Sequence, residues 1–209
     1  MRKLRNAAVW EMVHKERREL VRDLRNIHGD LWQTPSLCPG WSVHDVLAHL
    51  VDTAQTSRRS FARRMIAARF DFDKDNETGV RRGRQEDPTE TLAAMQAAIE
   101  LTRTPPAAPT TRLVEAFVHG QDIRQPLGIQ AVYPIMGVLD ALAFQVRTSV
   151  AMGGGKQRAQ HVRLVAADAD FATGSGAEVR GSAIDLLLAV SGRPVGPGRL
   201  QGLGAHFFR

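Results

Sequence analysis

Glu115, His119 and Asp122 are the residues whose types and spacing most readily suggest chemistry. They lie in residues 111–124, TRLVEAFVHGQDIR, a stretch bounded by Pro109 and Pro126. Thr110 or Thr111 can cap its start, so a helix of about 13–15 residues is expected. At about 100° per residue, Leu113, Val114, Ala116, Phe117, Val118, Gly120 and Ile123 cover most of the circumference. The three polar side chains share the remaining gap, within roughly 60° of one another. Glu115 and His119 are spaced i, i+4, so both can reach one ion. With a second imidazole from a neighbouring helix they would make a His2Glu set, which binds Zn2+ and leaves a fourth position open. Asp122, a turn beyond His119, can orient it from behind. The plain alternative is a polar stripe facing solvent, and spacing alone leaves both readings standing.

Other reaction chemistries find less support. Ser/His/Asp catalysis has no nucleophile-elbow motif. Cys38, between Leu37 and Pro39, reads as a packed loop thiol. Gly153 to Gly155 follow a helical pattern, whereas a nucleotide-binding glycine loop follows a strand. His14 and His28 sit on a charged amphipathic stretch and read as surface histidines.

The elements that would position the stripe follow from hydrophobic period and from Pro and Gly punctuation. Residues 4–28 repeat apolar positions near 3.6 and predict a first helix. A loop stiffened by Pro35 and Pro39 leads to Ser42, which with Asp45 predicts a capped second helix running to about Phe70. His49 falls on the flank of its apolar stripe, a place that suits a side chain reaching into an inter-helix pocket and equally a half-exposed histidine without a task. Residues 71–87 are polar and glycine-punctuated, and are expected to be a mobile loop. A third helix is expected from Pro88 or Thr89 to Thr102, then the helix described above, then an apolar helix over 134–151. Beyond Gly155 the pattern changes. Strands are expected at 161–166, 177–181 and 200–207, with a helix opened by Ser182 and Asp185. The fold class is therefore α+β: a helical bundle over 1–152 and a small α/β domain over 156–209.

Composition narrows the partners. The net charge is +6, yet 24 of the 28 basic residues are Arg, spread along the chain without groove-reading or base-stacking motifs. That skew points to a GC-rich genome, and nucleic acid is not expected as a partner. A mildly positive pocket for an anionic small molecule is. There is no apolar run long enough to span a membrane, no signal-peptide pattern and a single cysteine, so a cytoplasmic protein is expected.

Three stretches together resemble a known family. Residues 35–50, PSLCPGWSVHDVLAHL, and residues 114–124, VEAFVHGQDIR, are similar to the two signatures of the mycothiol-dependent maleylpyruvate isomerase family, in the DinB-like bundle superfamily. Residues 178–193, EVRGSAIDLLLAVSGR, resemble the start of its C-terminal domain helix. The resemblance implies a DinB-like up-and-down bundle of four to five helices followed by the small domain. It implies a zinc (or other divalent metal) site at His49, Glu115 and His119, which gives His49 a task that helix geometry left open. It also implies that Arg193 lines the pocket above the metal and holds anionic groups, although a surface arginine capping a helix would look the same. The implied cosubstrate is a low-molecular-weight thiol such as mycothiol, attacking a small-molecule electrophile by S-transfer or cis–trans isomerisation. An actinobacterial source and a monomer or homodimer fit this picture. The rival reading is a non-catalytic metal- or ligand-binding protein that keeps the bundle.

Overall fold

A computed structural model describes residues 4–208. It falls into two compact units, residues 6–131 and the chain from Val132 onward.

The first unit is helical. α1 (Asn6–Leu24) buries Val9, Val13, Leu20, Val21 and Leu24, and with them Glu16 and Arg17. A 3-10 turn over Gly29–Gln33 drives Trp32 into the core. α2 (Val43–Gln55) starts with the expected capping box, in which the Asp45 amide donates to Ser42 Oγ at 3.2 Å and the Ser42 amide donates to the Asp45 carboxylate at 2.9 Å. α2 is the central element, with ten of its thirteen residues buried. It packs on α4 (Phe72–Gly83), α5 (Pro88–Ala97) and α6 (Thr110–Arg124), while α1 packs on α5 and α6.

Two expectations for this unit are corrected. The second helix does not run to Phe70: it stops at Gln55, and α3 (Arg58–Ala67) starts again behind Ser57. Thr56 and Ser57 divert backbone bonding to their own hydroxyls. Thr56 Oγ1 donates to the Asp52 carbonyl, and Ser57 accepts from the Ser60 amide. The expected loop over 71–87 is mostly α4, capped by Asp71, which accepts from the Lys74 amide at 3.0 Å. Its glycines misled because they are contact positions and not breakers. A Cβ on Gly79 would lie 2.5 Å from the Asp52 carboxylate, and one on Gly83 would lie 2.3 Å from the Ala48 carbonyl. The i, i+4 pair lets α4 approach the Ala48–Asp52 face of α2 closely. Arg64 on α3 then ties the three helices together, donating to Asp52 at 2.6 Å and to Asp75 at 2.8 Å.

The second unit holds α7 (Ile135–Gln145), a 3-10 turn over Val150–Met152, a three-stranded sheet and α8 (Ala183–Val190). β1 (Val162–Ala166) is central, antiparallel to β2 (Ala172–Gly174) and parallel to β3 (Ala177–Gly181), with Leu164 opposite Val179. α7 packs on α8, so the division falls between 131 and 132, earlier than the sequence reading at 152. α7 also ends six residues sooner than expected, because the returning Gly155 amide takes the Gln145 carbonyl at 2.9 Å. The expected strand over 200–207 is reduced to one bridge, Gln201 with Arg180, followed by a 3-10 turn over Leu203–Phe208. Gly202, at φ 94°, turns the chain there. β2 was not anticipated, being three residues long and ending in glycine.

Candidate functional site

The site forms where α2 faces α6. α6 is buried over most of its surface, and its polar stripe meets α2, where Thr53 donates to Glu115. His119 Nδ1 lies 2.8 Å from the Asp122 carboxylate, which is 0% exposed. A buried carboxylate there fixes the imidazole's orientation and leaves Nε2 as the nitrogen available to a ligand. His49 on α2 is 6% exposed, and its ring centroid lies 4.9 Å from that of His119, with the planes at 75°. The Trp41 ring also packs on His49, with centroids 5.1 Å apart.

The loop before α2 brings Trp41 there. Ser36 and Trp41 close it through the Ser36 amide and the Trp41 carbonyl at 2.9 Å, and Gly40 supplies the required φ of 78°. The Leu37 amide then donates to the Asp122 carbonyl at 3.2 Å, anchoring the loop on α6 beside the site. Cys38 lies in this loop, half-buried and reduced.

Glu115 sits one turn before His119, as the spacing predicts, but its carboxylate is engaged elsewhere. Thr53 Oγ1 donates to one oxygen at 2.9 Å, and Arg112 Nη1 stands 2.8 Å from the other. Arg112 also borders a small cavity between α1, α2, α5 and α6, with Arg17, Glu16 and Glu115, which has room for about one water. Arg17 closes the neighbouring end of α5 by donating to the Ala98, Ile99 and Leu101 carbonyls at 2.8–3.2 Å. Sequence reasoning missed Trp41, Thr53 and Arg112. Arg112 could have been found as a cation three residues before Glu115 on the same helix face.

Arg193 lies in the second unit, in the turn after α8, half-buried, with Nη1 donating to the Ser191 carbonyl at 3.3 Å.

His49, Glu115 and His119 carry donor groups of the kinds that bind zinc. Two imidazoles sharing a tetrahedral ion at about 2.0–2.1 Å place their ring centroids about 5 Å apart, close to the separation of His49 and His119. The Asp122 contact is the partner a ligating histidine ordinarily has. Each Glu115 oxygen retains a second lone pair beyond its present partner. The donor chemistry therefore fits. Among the described residues, however, no group of three or more His, Cys, Asp and Glu side chains is gathered as a metal site.

A second cluster on the same helix has no such openness. Arg124, fully buried, donates to Glu16 on α1 and to Asp23 at 2.8 Å. Burial pushes the Glu16 carboxyl up to about 7, against the pull of the Arg124 charge.

The helical unit carries a family match: residues 13–108 match the model described as the mycothiol maleylpyruvate isomerase N-terminal domain. The resemblance read from residues 35–50 thus recurs in an independent comparison, while residues 114–124 and 178–193 lie outside the matched span. The fold agrees over nearly the whole chain. A crystal structure of mycothiol-dependent maleylpyruvate isomerase superposes with a TM-score of 0.62 at 14% identity, covering 97% of this chain and 96% of that one. A histidine-to-alanine mutant of that enzyme superposes with a TM-score of 0.65 over the same shares of the two chains, again at 14% identity. No curated protein sequence matches. No helix among the described residues is long and apolar enough to cross a membrane.

Proposed function

We propose that this chain is a cytoplasmic, thiol-dependent enzyme of the maleylpyruvate isomerase type, using mycothiol or a similar low-molecular-weight thiol. The observation that carries the reading is the meeting of His49 and His119 across α2 and α6 with Asp122 behind His119. In this reading His49, Glu115 and His119 hold a zinc ion. Zinc there would lower the pKa of a bound thiol, so that it reacts as the thiolate at neutral pH.

The chain's own residues do the rest. Asp122 keeps His119 in one orientation. Thr53 and Arg112 restrain the Glu115 carboxylate. Trp41 packs on His49 and limits the space beside it. Arg193 is the proposed contact for an anionic group of the substrate or thiol, as a planar guanidinium fork suits a carboxylate. The reaction itself balances without consuming the thiol. The thiolate adds to one carbon of a conjugated cis double bond, and the electron pair moves to the conjugated carbonyl. The resulting single bond rotates, and the pair returns to expel the thiolate and leave the trans product. If the carbanion is protonated instead, the sulfur stays attached and the outcome is S-transfer.

One observation favours a second reading, a non-catalytic metal- or ligand-binding protein: Glu115 already has Arg112 and Thr53 as partners. Metal analysis of the purified protein and of His119→Ala tests the first reading. Stoichiometric divalent metal in the wild type and its loss in the variant are expected, together with thiol-dependent isomerisation of maleylpyruvate or a related cis-enone acid. Wild-type protein without metal sinks the proposal, and metal without turnover across a broad electrophile panel moves the case to the binder.

A further inference from the structure

α3 is thinly covered by its own chain. Of its ten residues only Met65 is buried, and its tie to the bundle runs largely through Arg64. The outward side presents Arg59, Arg63, Ile66 and, past the helix end, Phe70, at intervals of four, three and four that define one stripe. Ile66 is 67% exposed and Phe70 72%. Phe70 is carried outward by two consecutive left-handed residues, Arg69 at φ 57° and Phe70 at φ 64°, a conformation that side chains with a β-carbon rarely adopt. Phe72, also exposed, follows at the start of α4. A large apolar surface at a backbone outlier marks a surface with a partner.

The charges around this corner say which partner. Residues 57–70 contain no acid, and Arg58, Arg59, Arg63 and Arg69 are exposed. The first half of α4 reverses the sign, with Asp71, Asp73 and Glu77 exposed against Lys74 alone. Among the described residues Arg59, Arg63, Asp73 and Glu77 form no ion pair within the chain. The corner therefore reads as a basic arm, an apolar centre and an acidic arm. Such a pattern complements itself under a twofold rotation about its centre, where each basic arm meets the other copy's acidic arm. An anionic membrane or an acidic protein would satisfy the basic arm and repel the acidic one.

We propose that a second copy of this chain covers the corner, with α3 of each protomer against the first half of α4 of the other and Ile66, Phe70 and Phe72 at the centre. Sedimentation velocity of the full chain, from low micromolar to a few hundred micromolar, reads this directly. A reversible monomer–dimer equilibrium is expected, weak because the patch is small. Phe70→Asp should raise the dimer dissociation constant at least about tenfold, in line with a central apolar anchor. Ile66→Glu is the second variant should Phe70→Asp melt early. Reversing one arm (Arg59→Glu with Arg63→Glu, or Asp73→Lys with Glu77→Lys) should weaken the dimer, and reversing both arms in one chain should restore it. A monomer at every concentration overturns the proposal, as does a dimer indifferent to Phe70→Asp. Flotation of a strictly monomeric protein with phosphatidylserine vesicles would assign the corner to a membrane instead.

Discussion

α2 buries two histidines five residues apart, and they illustrate opposite uses of one imidazole. His44 is 0% exposed, lies edge-on to Trp32 and has Nε2 at 2.8 Å from the Thr91 hydroxyl. That hydroxyl in turn accepts from the Gln85 amide at 3.0 Å. Its neighbours complete the packing of α2 on α5 and hold the ring by Nε2, while Nδ1 is buried without a hydrogen-bond partner among the described residues. His49, about 140° around the helix, faces another imidazole that is itself held by a buried carboxylate. Two imidazoles meet edge to face there, with a carboxylate behind one of them, an arrangement that the proposed cation would suit. α6 repeats the contrast: Arg124 is enclosed by carboxylates from α1, whereas His119, five residues earlier, looks toward α2. Burial alone therefore does not mark a functional residue in this protein. What distinguishes the two sets is whether the group is held by unlike neighbours in the packing (the closed side) or is brought against a second imidazole from another helix (the open side).

If that distinction holds, changes on the closed side should cost stability and changes on the open side should cost ligand affinity. The largest expected effect is on the closed side. Arg124→Met leaves Glu16 buried beside Asp23 without its counter-ion, and breaking a buried pair from one side costs about 3–5 kcal/mol. Glu16 already has its carboxyl raised to about 7 by burial. A carboxyl raised above its unfolded value favours folding below the unfolded pKa and loses that contribution as pH rises through the folded one. Removing Arg124 raises it further, so the deficit should grow above neutral pH. Urea titrations of both proteins at two pH values measure it, and equal deficits at both would break the assignment.

His44 gives the next effect. Burial first, and then the Arg84 charge, lower its pKa to about 4, with Asp45 and Asp87 opposing. A histidine depressed in the folded state takes up its proton more readily when unfolded. Stability should thus fall as pH drops from about 6.5 to about 4, by about 3 kcal/mol over the full window. His44→Gln, a neutral side chain at the same place, should flatten that part of the pH profile and leave metal binding intact. An unchanged slope in the variant would remove His44 from the closed set.

Both sides of the contrast were only partly visible in the sequence. The i, i+4 spacing of Glu115 and His119, the Ser42–Asp45 cap and the buried faces of α2 and α6 were legible because each depends on residues within one or two turns. His49 was ambiguous by period, since its meaning comes from α6, 70 residues away, and only family resemblance singled it out. Arg112 and Thr53 were missed for the same reason, as Thr53 reaches Glu115 across helices. Gly79 and Gly83 were read as loop punctuation because their close contact with Ala48 and Asp52 is tertiary. The break at Thr56–Ser57 is a local competition between side-chain and backbone hydrogen bonds, and the charged run beyond it keeps a helical pattern that masks it.

Asp122 tests the open side most narrowly. Asp122→Asn keeps the shape of the side chain and removes the charge that orients His119. The partner behind a ligating histidine ordinarily contributes about 10–100-fold to metal affinity, so zinc titrations should weaken by about that factor. Folding of the metal-free protein should change less than in Arg124→Met, since a neutral amide is easier to bury than an unpaired carboxylate. The outcome to watch for is the reverse: a large loss of stability with zinc affinity unchanged. That would place His119 with His44, as an imidazole whose neighbours merely complete its packing, and would leave the meeting of His49 and His119 without chemical purpose.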